Sequence, residues 1–122
     1  MPRTVPLTAS ISGVIANSTV TVSIGPRFQG EVWFPESISI SCTGNQPTPA
    51  APNIATCNLY VGTGANSGSF LDGTYQVLGA SSSMISGQTI YPGRLVLAVW
   101  TNMTGSNGKT ATMTVQGSRR IP

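Results

Sequence analysis

Hydrophobic and polar residues alternate with a period of two along most of the chain, which is the pattern of half-buried β-strands. In residues 7–15, Leu7, Ala9, Ile11 and Ile15 share one parity, and in residues 19–24 the apolar side chains alternate perfectly. A short polar turn separates the two runs. Two alternating runs around such a turn are typical of an antiparallel hairpin. We therefore expect these runs to pair, with Val20, Val22 and Ile24 turned inward.

A second hairpin is predicted late in the chain, over residues 93–115. Residues 94–100 are the longest apolar run, residues 110–115 alternate, and the Asn107-Gly108 dipeptide between them is a strong signal for a tight turn. A strand that is apolar on both faces needs cover on both sides. We expect Leu95, Leu97 and Val99 to face the main core, which leaves Val96, Ala98 and Trp100 for the opposite face.

Further strands are predicted at residues 28–34, 37–42, 57–61 and 74–78, with loops rich in proline, glycine or serine at residues 43–56, 62–73 and 79–88. In residues 37–42 and 57–61 the inward positions are Ile38, Ile40, Cys42, Cys57, Leu59 and Val61. No segment has helical spacing with capping residues. We therefore expect seven to nine short strands. The pattern predicts an all-β chain forming a single antiparallel β-sandwich, either a jelly roll or an immunoglobulin-like sandwich.

The chain of 122 residues is long enough for one domain with one core. We divide it into an N-terminal arm at residues 1–6, a sandwich at residues 7–117 and an exposed C-terminal tail at residues 118–122. Because the tail carries no apolar run, we expect its deletion to leave the fold intact and to weaken attachment to neighbouring molecules.

Charged residues make up 7% of the chain, and no histidine is present. The surface is therefore built from neutral polar side chains, and low charge promotes association between copies. The formal net charge is +3, but its six basic residues are scattered and do not interleave with aromatic residues. Composition thus argues against a nucleic-acid partner. The sequence also lacks a basic and apolar leader and a run of about 20 apolar residues, so we expect neither a signal peptide nor a membrane span.

The residues that usually carry catalysis are sparse. Without histidine the chain cannot form a Ser-His-Asp or Cys-His arrangement, and two cysteines alone cannot close a zinc site. Pro35 lies between Glu31 and Glu36, so the relative facing of the two carboxylates does not follow from the sequence. Exposure to solvent or pairing within a loop explains them better than acid/base catalysis. Asp72 is best explained as a turn residue. We expect no enzyme activity, no catalytic residue, no cofactor and no metal.

Cys42 and Cys57 flank the proline-rich loop, and both have the inward parity of their strands. A disulfide between them would close that loop, whereas two buried thiols would behave as small hydrophobic side chains. The sequence leaves both alternatives open.

Aromatic and basic side chains supply the candidate interaction residues. Trp33 and Trp100 are candidates for a subunit interface or a sugar-stacking platform, because exposed aromatic rings provide large contact areas. The remaining candidates, which would extend the platform or reach from the tail to a neighbour, are Tyr60, Tyr91, Arg119 and Arg120. Internal cover of the aromatic rings is the competing interpretation.

Six segments of the chain carry a resemblance to a known class of proteins: residues 30–33, 37–42, 57–62, 71–75, 92–100 and 111–117. Together they resemble the small β-sandwich structural proteins of tailed bacteriophages, which are capsid decoration or minor tail components. The resemblance implies a capsid decoration (cement) protein of the virion, made in the host cytoplasm and without catalytic residues. It implies a homo-oligomer, with a trimer as the favoured form, that binds the major capsid protein or another virion protein. The alternative is a carbohydrate- or receptor-binding module of a phage tail or cell surface, with a glycan ligand.

Overall fold

Eight β-strands make up most of the computed structural model, which describes residues 2–42, 56–64, 69–74, 79–103 and 107–122. The strands are β1 (Arg3–Val14), β2 (Val20–Ile24), β3 (Val32–Cys42), β4 (Thr56–Gly62), β5 (Phe70–Thr74), β6 (Gly79–Ser82), β7 (Leu95–Thr101) and β8 (Thr110–Ile121). The described residues contain no helix. Most of the loop predicted at residues 43–56 lies outside the described residues, as do residues 75–78 of a predicted strand and residues 104–106 of a predicted turn.

The strands form two antiparallel sheets of four, ordered β1-β8-β3-β6 and β2-β7-β4-β5. The first strand therefore pairs with the last, the second with the seventh, the third with the sixth and the fourth with the fifth. This is the order of a long antiparallel ribbon wound into a double-sheet jelly roll. The predicted all-β antiparallel sandwich is confirmed, and the strand order selects the jelly roll over the immunoglobulin-like alternative.

Neither predicted hairpin forms a ladder. β1 and β2 belong to opposite sheets, and so do β7 and β8. The Asn107-Gly108 turn bonds to the end of β1 instead, where Gly108 N–H donates to the Ile15 carbonyl at 2.8 Å and Ile15 N–H donates to the Lys109 carbonyl at 2.9 Å. β8 then runs between β1 and β3, so both of its backbone edges are paired with strands far away in the sequence.

The core lies between the two sheets, and β7 faces it in the sense opposite to the prediction. Val96, Ala98 and Trp100 have no exposed surface and belong to the core cluster. Leu97 lies outside that cluster although it is buried, at 7% exposed, and Leu95 and Val99 are half-buried. The inward assignments for β1, β2, β3 and β8 agree with the structure at Leu7, Val22, Ile38, Ile40, Met113 and Val115, all of them buried. β7 alone could not be oriented, because its alternate positions are apolar on both faces.

The predicted arm and tail are strand residues, not free termini. β1 begins at Arg3 and β8 ends at Ile121, and these two residues are register partners. Arg120 is also paired with Val32 on β3. The few apolar residues of the tail misled the prediction, because β8 is paired on both sides and such a strand needs backbone groups more than apolar side chains. Two short strands, β5 and β6, likewise begin inside predicted loops.

Candidate functional site

A group of apolar side chains covers the outer face of the second sheet. β7 turns alternate residues away from the core, and on β4 and β5 the adjacent outward positions are aromatic. We call this group the outer apolar patch; it consists of Tyr60, Phe70, Leu95, Leu97 and Val99. The patch combines one residue predicted as an interaction candidate, Tyr60, with three residues predicted to face the core, Leu95, Leu97 and Val99.

Strand register places the patch residues side by side. Tyr60 is opposite Leu97 on β7 and opposite Phe70 on β5, and residues directly opposite in a ladder lie on the same face. The rings of Tyr60 and Phe70 meet edge to face, with centroids 5.8 Å apart and planes at 73°. Phe70 is half exposed. Thr21 and Ser23, exposed on the neighbouring β2, give the patch a hydroxyl rim.

Both tryptophans are buried, which corrects their assignment as interaction residues. Trp100 has no exposed surface and Trp33 is 4% exposed. Trp100 projects from β7 into the core. Trp33 pairs with Arg119 on β8 and forms an isolated β-bridge with Ile90 on its other side. Neither ring can present its face to a partner or a sugar while the sandwich is folded.

Of the other predicted candidates, Tyr91 and Arg120 are exposed. Tyr91 follows Ile90, which pairs with Trp33 of the first sheet, whereas Tyr60 lies in the second sheet. The structure therefore separates the two tyrosines instead of joining them in one platform.

Arg119 forms an ion pair that the sequence did not reveal. Its Nη1 donates to Glu31 Oε2 at 3.0 Å, and Arg27 N–H donates to Glu31 Oε1 at 3.0 Å. Glu31 is 3% exposed, while 39% of the Arg119 side-chain surface is exposed. The pairing could not be read from the sequence, since 88 residues separate the partners.

The environment of Glu31 keeps its carboxylate ionised. Burial by itself raises the pKa of Glu31, but the hydrogen bonds from Arg27 and Arg119 and the nearby Trp33 indole outweigh burial and lower it. The Trp33 N–H influences the carboxylate without the geometry of a hydrogen bond, since Trp33 Nε1 has no hydrogen-bond partner among the described residues.

Two clefts of about 150 Å³ each open on the surface. One lies beside the ion pair and is lined by Ile24, Gly25, Arg27, Phe28, Glu31, Trp33 and Arg119; we call it the Glu31 cleft. The other opens between the sheets, where Ser82 Oγ donates to Asp72 Oδ2 at 2.7 Å. Both oxygens of Asp72 are used within the fold, because Gly73 N–H donates to Oδ1 at 2.8 Å.

Cys42 and Cys57 are two buried thiols that are not joined by a disulfide. Cys42 is the last residue of β3 and Cys57 is the second residue of β4, and these strands belong to opposite sheets. Burial raises the pKa of both thiols, and that of Cys57 reaches about 12. Their role in the described fold is that of small hydrophobic side chains.

Among the described residues, no group of three or more Cys, Asp or Glu side chains is placed to hold a metal ion. A search of the same residues for a helix long and apolar enough to cross a membrane found none. Comparisons with protein-family models, with curated proteins and with solved structures give no match to this chain.

Proposed function

We propose that the chain is a virion structural protein, a capsid decoration protein that self-associates on the particle surface. The observation that carries this proposal is the outer apolar patch on a jelly-roll sandwich. Jelly rolls are common building blocks of viral capsids, although the fold by itself does not assign a function. The resemblance of the sequence to phage structural proteins supports the same proposal.

The occupant of the patch is a second copy of this chain. None of its five members is charged, and its rim consists of threonine and serine hydroxyls. Two copies therefore meet without like-charge repulsion and without desolvating ions, whereas an oppositely charged partner would find nothing to pair with. Tyrosine and phenylalanine are also enriched in the cores of protein interfaces.

The outer face of the first sheet is the surface offered to the major capsid protein or another virion protein. It carries small hydroxyls that bond across the ladder, as in Ser10 to Thr114 and Ser12 to Thr112, both at 2.8 Å, together with exposed Val14 and Arg120. Neutral hydroxyls can lie against another protein at little desolvation cost. The expected trimer and the virion location remain predictions.

Self-association is tested by size-exclusion chromatography with light scattering. We expect the parent chain to form an oligomer, with a trimer mass, and Phe70→Thr to shift it toward monomer, because Phe70 is the patch member that is 50% exposed. Val14→Thr is the matched control, because Val14 is 62% exposed on β1, away from the patch. A parent chain that stays monomeric at every concentration, or an oligomer insensitive to Phe70→Thr, would contradict the proposed interface.

The virion assignment is tested separately. A capsid-protein gene next to the gene for this chain, and stoichiometric recovery of the chain from purified particles by mass spectrometry, are the expected results. Particles that contain none of the chain would refute this part of the proposal even if the oligomer forms.

Carbohydrate binding is a second candidate function. Its original form, with sugars stacked on Trp33 and Trp100, is not carried forward because both rings are buried. The observation that favours it now is the Glu31 cleft, where an exposed aromatic ring lies beside buried polar groups.

A further inference from the structure

The Glu31 cleft combines an aromatic rim with a polar floor. Phe28 is 68% exposed at the cleft, and a turn bond from Glu31 N–H to the Phe28 carbonyl at 3.0 Å fixes the two residues relative to each other. The floor contains Glu31 and Trp33, which are 3% and 4% exposed. A cavity of about 150 Å³ is large enough for one six-membered ring.

Two buried N–H groups in this cleft have no acceptor among the described residues: Trp33 Nε1 and Arg119 Nε. Buried donors are almost always paired, and an unpaired one carries a desolvation cost that a bound acceptor would relieve. Glu31 supplies acceptors beside them. Its two oxygens accept one described hydrogen bond each, from Arg27 and from Arg119, while a carboxylate offers about four lone-pair positions.

This arrangement selects a ligand that both donates and accepts at neighbouring atoms. A ligand hydroxyl bound beside Trp33 would accept from the indole N–H and donate to the Glu31 carboxylate, whose pKa the Trp33 side chain already helps to lower. An anion would accept from the same donors but would lie against the negative charge of Glu31. Neighbouring hydroxyls on one ring satisfy both requirements, and the face of the ring that carries C–H groups can pack on Phe28.

We propose that the Glu31 cleft binds a neutral sugar ring, with its hydroxyls held by Trp33, Glu31 and Arg119 and its C–H face packed on Phe28. Trp33 contributes the edge that carries its N–H, not the ring face, so its burial is compatible with this role. The inference rests on the second candidate function. It is independent of self-association, because none of the residues that line this cleft belongs to the outer apolar patch.

Nuclear magnetic resonance provides a direct test, because the two indole N–H groups give two signals in a ¹H–¹⁵N spectrum. The probes are the methyl glycosides of common hexoses and N-acetylhexosamines, titrated into the full chain. We expect the Trp33 indole signal to shift and that of Trp100, buried in the core, to stay in place. Trp33→Phe, which keeps a ring and removes the N–H, assigns the signals.

The matched variants are Phe28→Ala in the cleft and Met84→Ala outside it, since both side chains are more than half exposed and neither supports the core. We expect Phe28→Ala to weaken binding about tenfold, as for loss of an interaction of about 1.4 kcal/mol, and Met84→Ala to leave it unchanged. Glu31→Gln should weaken it by a similar factor, with circular dichroism confirming that this variant is folded.

The failures are distinguishable. If no glycoside shifts any backbone amide or indole signal of the chain, carbohydrate binding and this site are both overturned. If glycosides bind but Phe28→Ala and Trp33→Phe bind equally well, the function stands and the site is wrong. If acetate shifts the Trp33 signal and glycosides do not, the cleft is an anion site and the sugar assignment is refuted.

Discussion

Deletion of residues 118–122 removes the end of β8, a strand with partners on both sides. Four register pairs with β1 are lost, from Ser118 to Ile121, and three with β3, from Ser118 to Arg120. The deletion also removes Arg119 and leaves the buried Glu31 carboxylate without its cation. The sequence alone predicted a dispensable tail, and the structure predicts a strongly destabilised domain.

The magnitude follows from two contributions. A protein hydrogen bond contributes about 1 kcal/mol net to the free energy of unfolding. The backbone hydrogen bonds of the lost register pairs with β1 and β3 therefore contribute about 3–6 kcal/mol. Removing one member of a buried ion pair costs about 3–5 kcal/mol, which we reduce to about 1–3 kcal/mol because 39% of the Arg119 side-chain surface is exposed to solvent. The loss of at least about 4 kcal/mol is a large part of the roughly 5–15 kcal/mol that stabilises a typical domain.

Urea denaturation followed by tryptophan fluorescence measures this effect, since Trp33 and Trp100 are both buried. With a urea slope of about 1–3 kcal/mol per M, we expect the truncated chain to lose at least about 1.3 M from its unfolding midpoint, or to be unfolded in buffer. Deletion of the exposed Pro122 alone, which lies outside β8, should leave the midpoint unchanged. Arg119→Met in the full chain isolates the ion-pair contribution of about 1–3 kcal/mol. A truncated chain with the parental midpoint would refute the two-sided pairing of β8.

Three further predictions concern single residues. The pKa of Glu31 is lowered in the folded state, so its contribution to stability is present above the ordinary pKa of 4.5 and is lost as pH falls below it. The urea midpoint of the parent should therefore decrease in acid more steeply than that of Glu31→Gln. Parallel curves of midpoint against pH would contradict this. The pKa of Cys57 is raised from 9.0 to about 12, so its contribution to the free energy of unfolding is complete below pH 9 and is lost between pH 9 and about pH 12. At pH 8 a thiol reagent should react with neither cysteine until denaturant is added. Rapid labelling of the native protein would contradict the burial. Gly117→Ala should destabilise the fold by about 1–3 kcal/mol, because the added Cβ would lie 2.5 Å from the Phe34 carbonyl oxygen and 2.7 Å from Pro35 Cα at the β3 bulge. Ser118→Ala, next to it on β8, adds no atom and serves as the control. Equal thermal midpoints for the two variants would refute the close approach.

The outer apolar patch shows how far the candidate site could be predicted. Tyr60 was a candidate interface residue from its outward parity, and its position supports that interpretation. Leu97 was assigned to the main core, and at 7% exposed it is buried. Because its neighbours in the sequence are also apolar, the sequence could not show which face of β7 meets the core. Only the pairing of β7 with β2 and β4, whose exposed or half-buried residues Ser23 and Tyr60 flank Leu97, assigns it to the outer face.

Local sequence determined the strands and most of their inward faces. Alternation with a period of two is a property of neighbouring residues, so Val22, Ile40 and Met113 could be assigned to the core without knowing which strand lies beside them. The sparse charge, likewise, follows directly from composition.

Tertiary structure alone decided which strands pair, which face of β7 is buried, and that Arg119 meets Glu31. The physical reason is that backbone hydrogen bonds are the same in every strand, so they carry no information about the partner. Pairing is settled by closing both sheets over one core. That closure places β8 between β1 and β3 and converts the residues predicted to be an exposed tail into the centre of the first sheet.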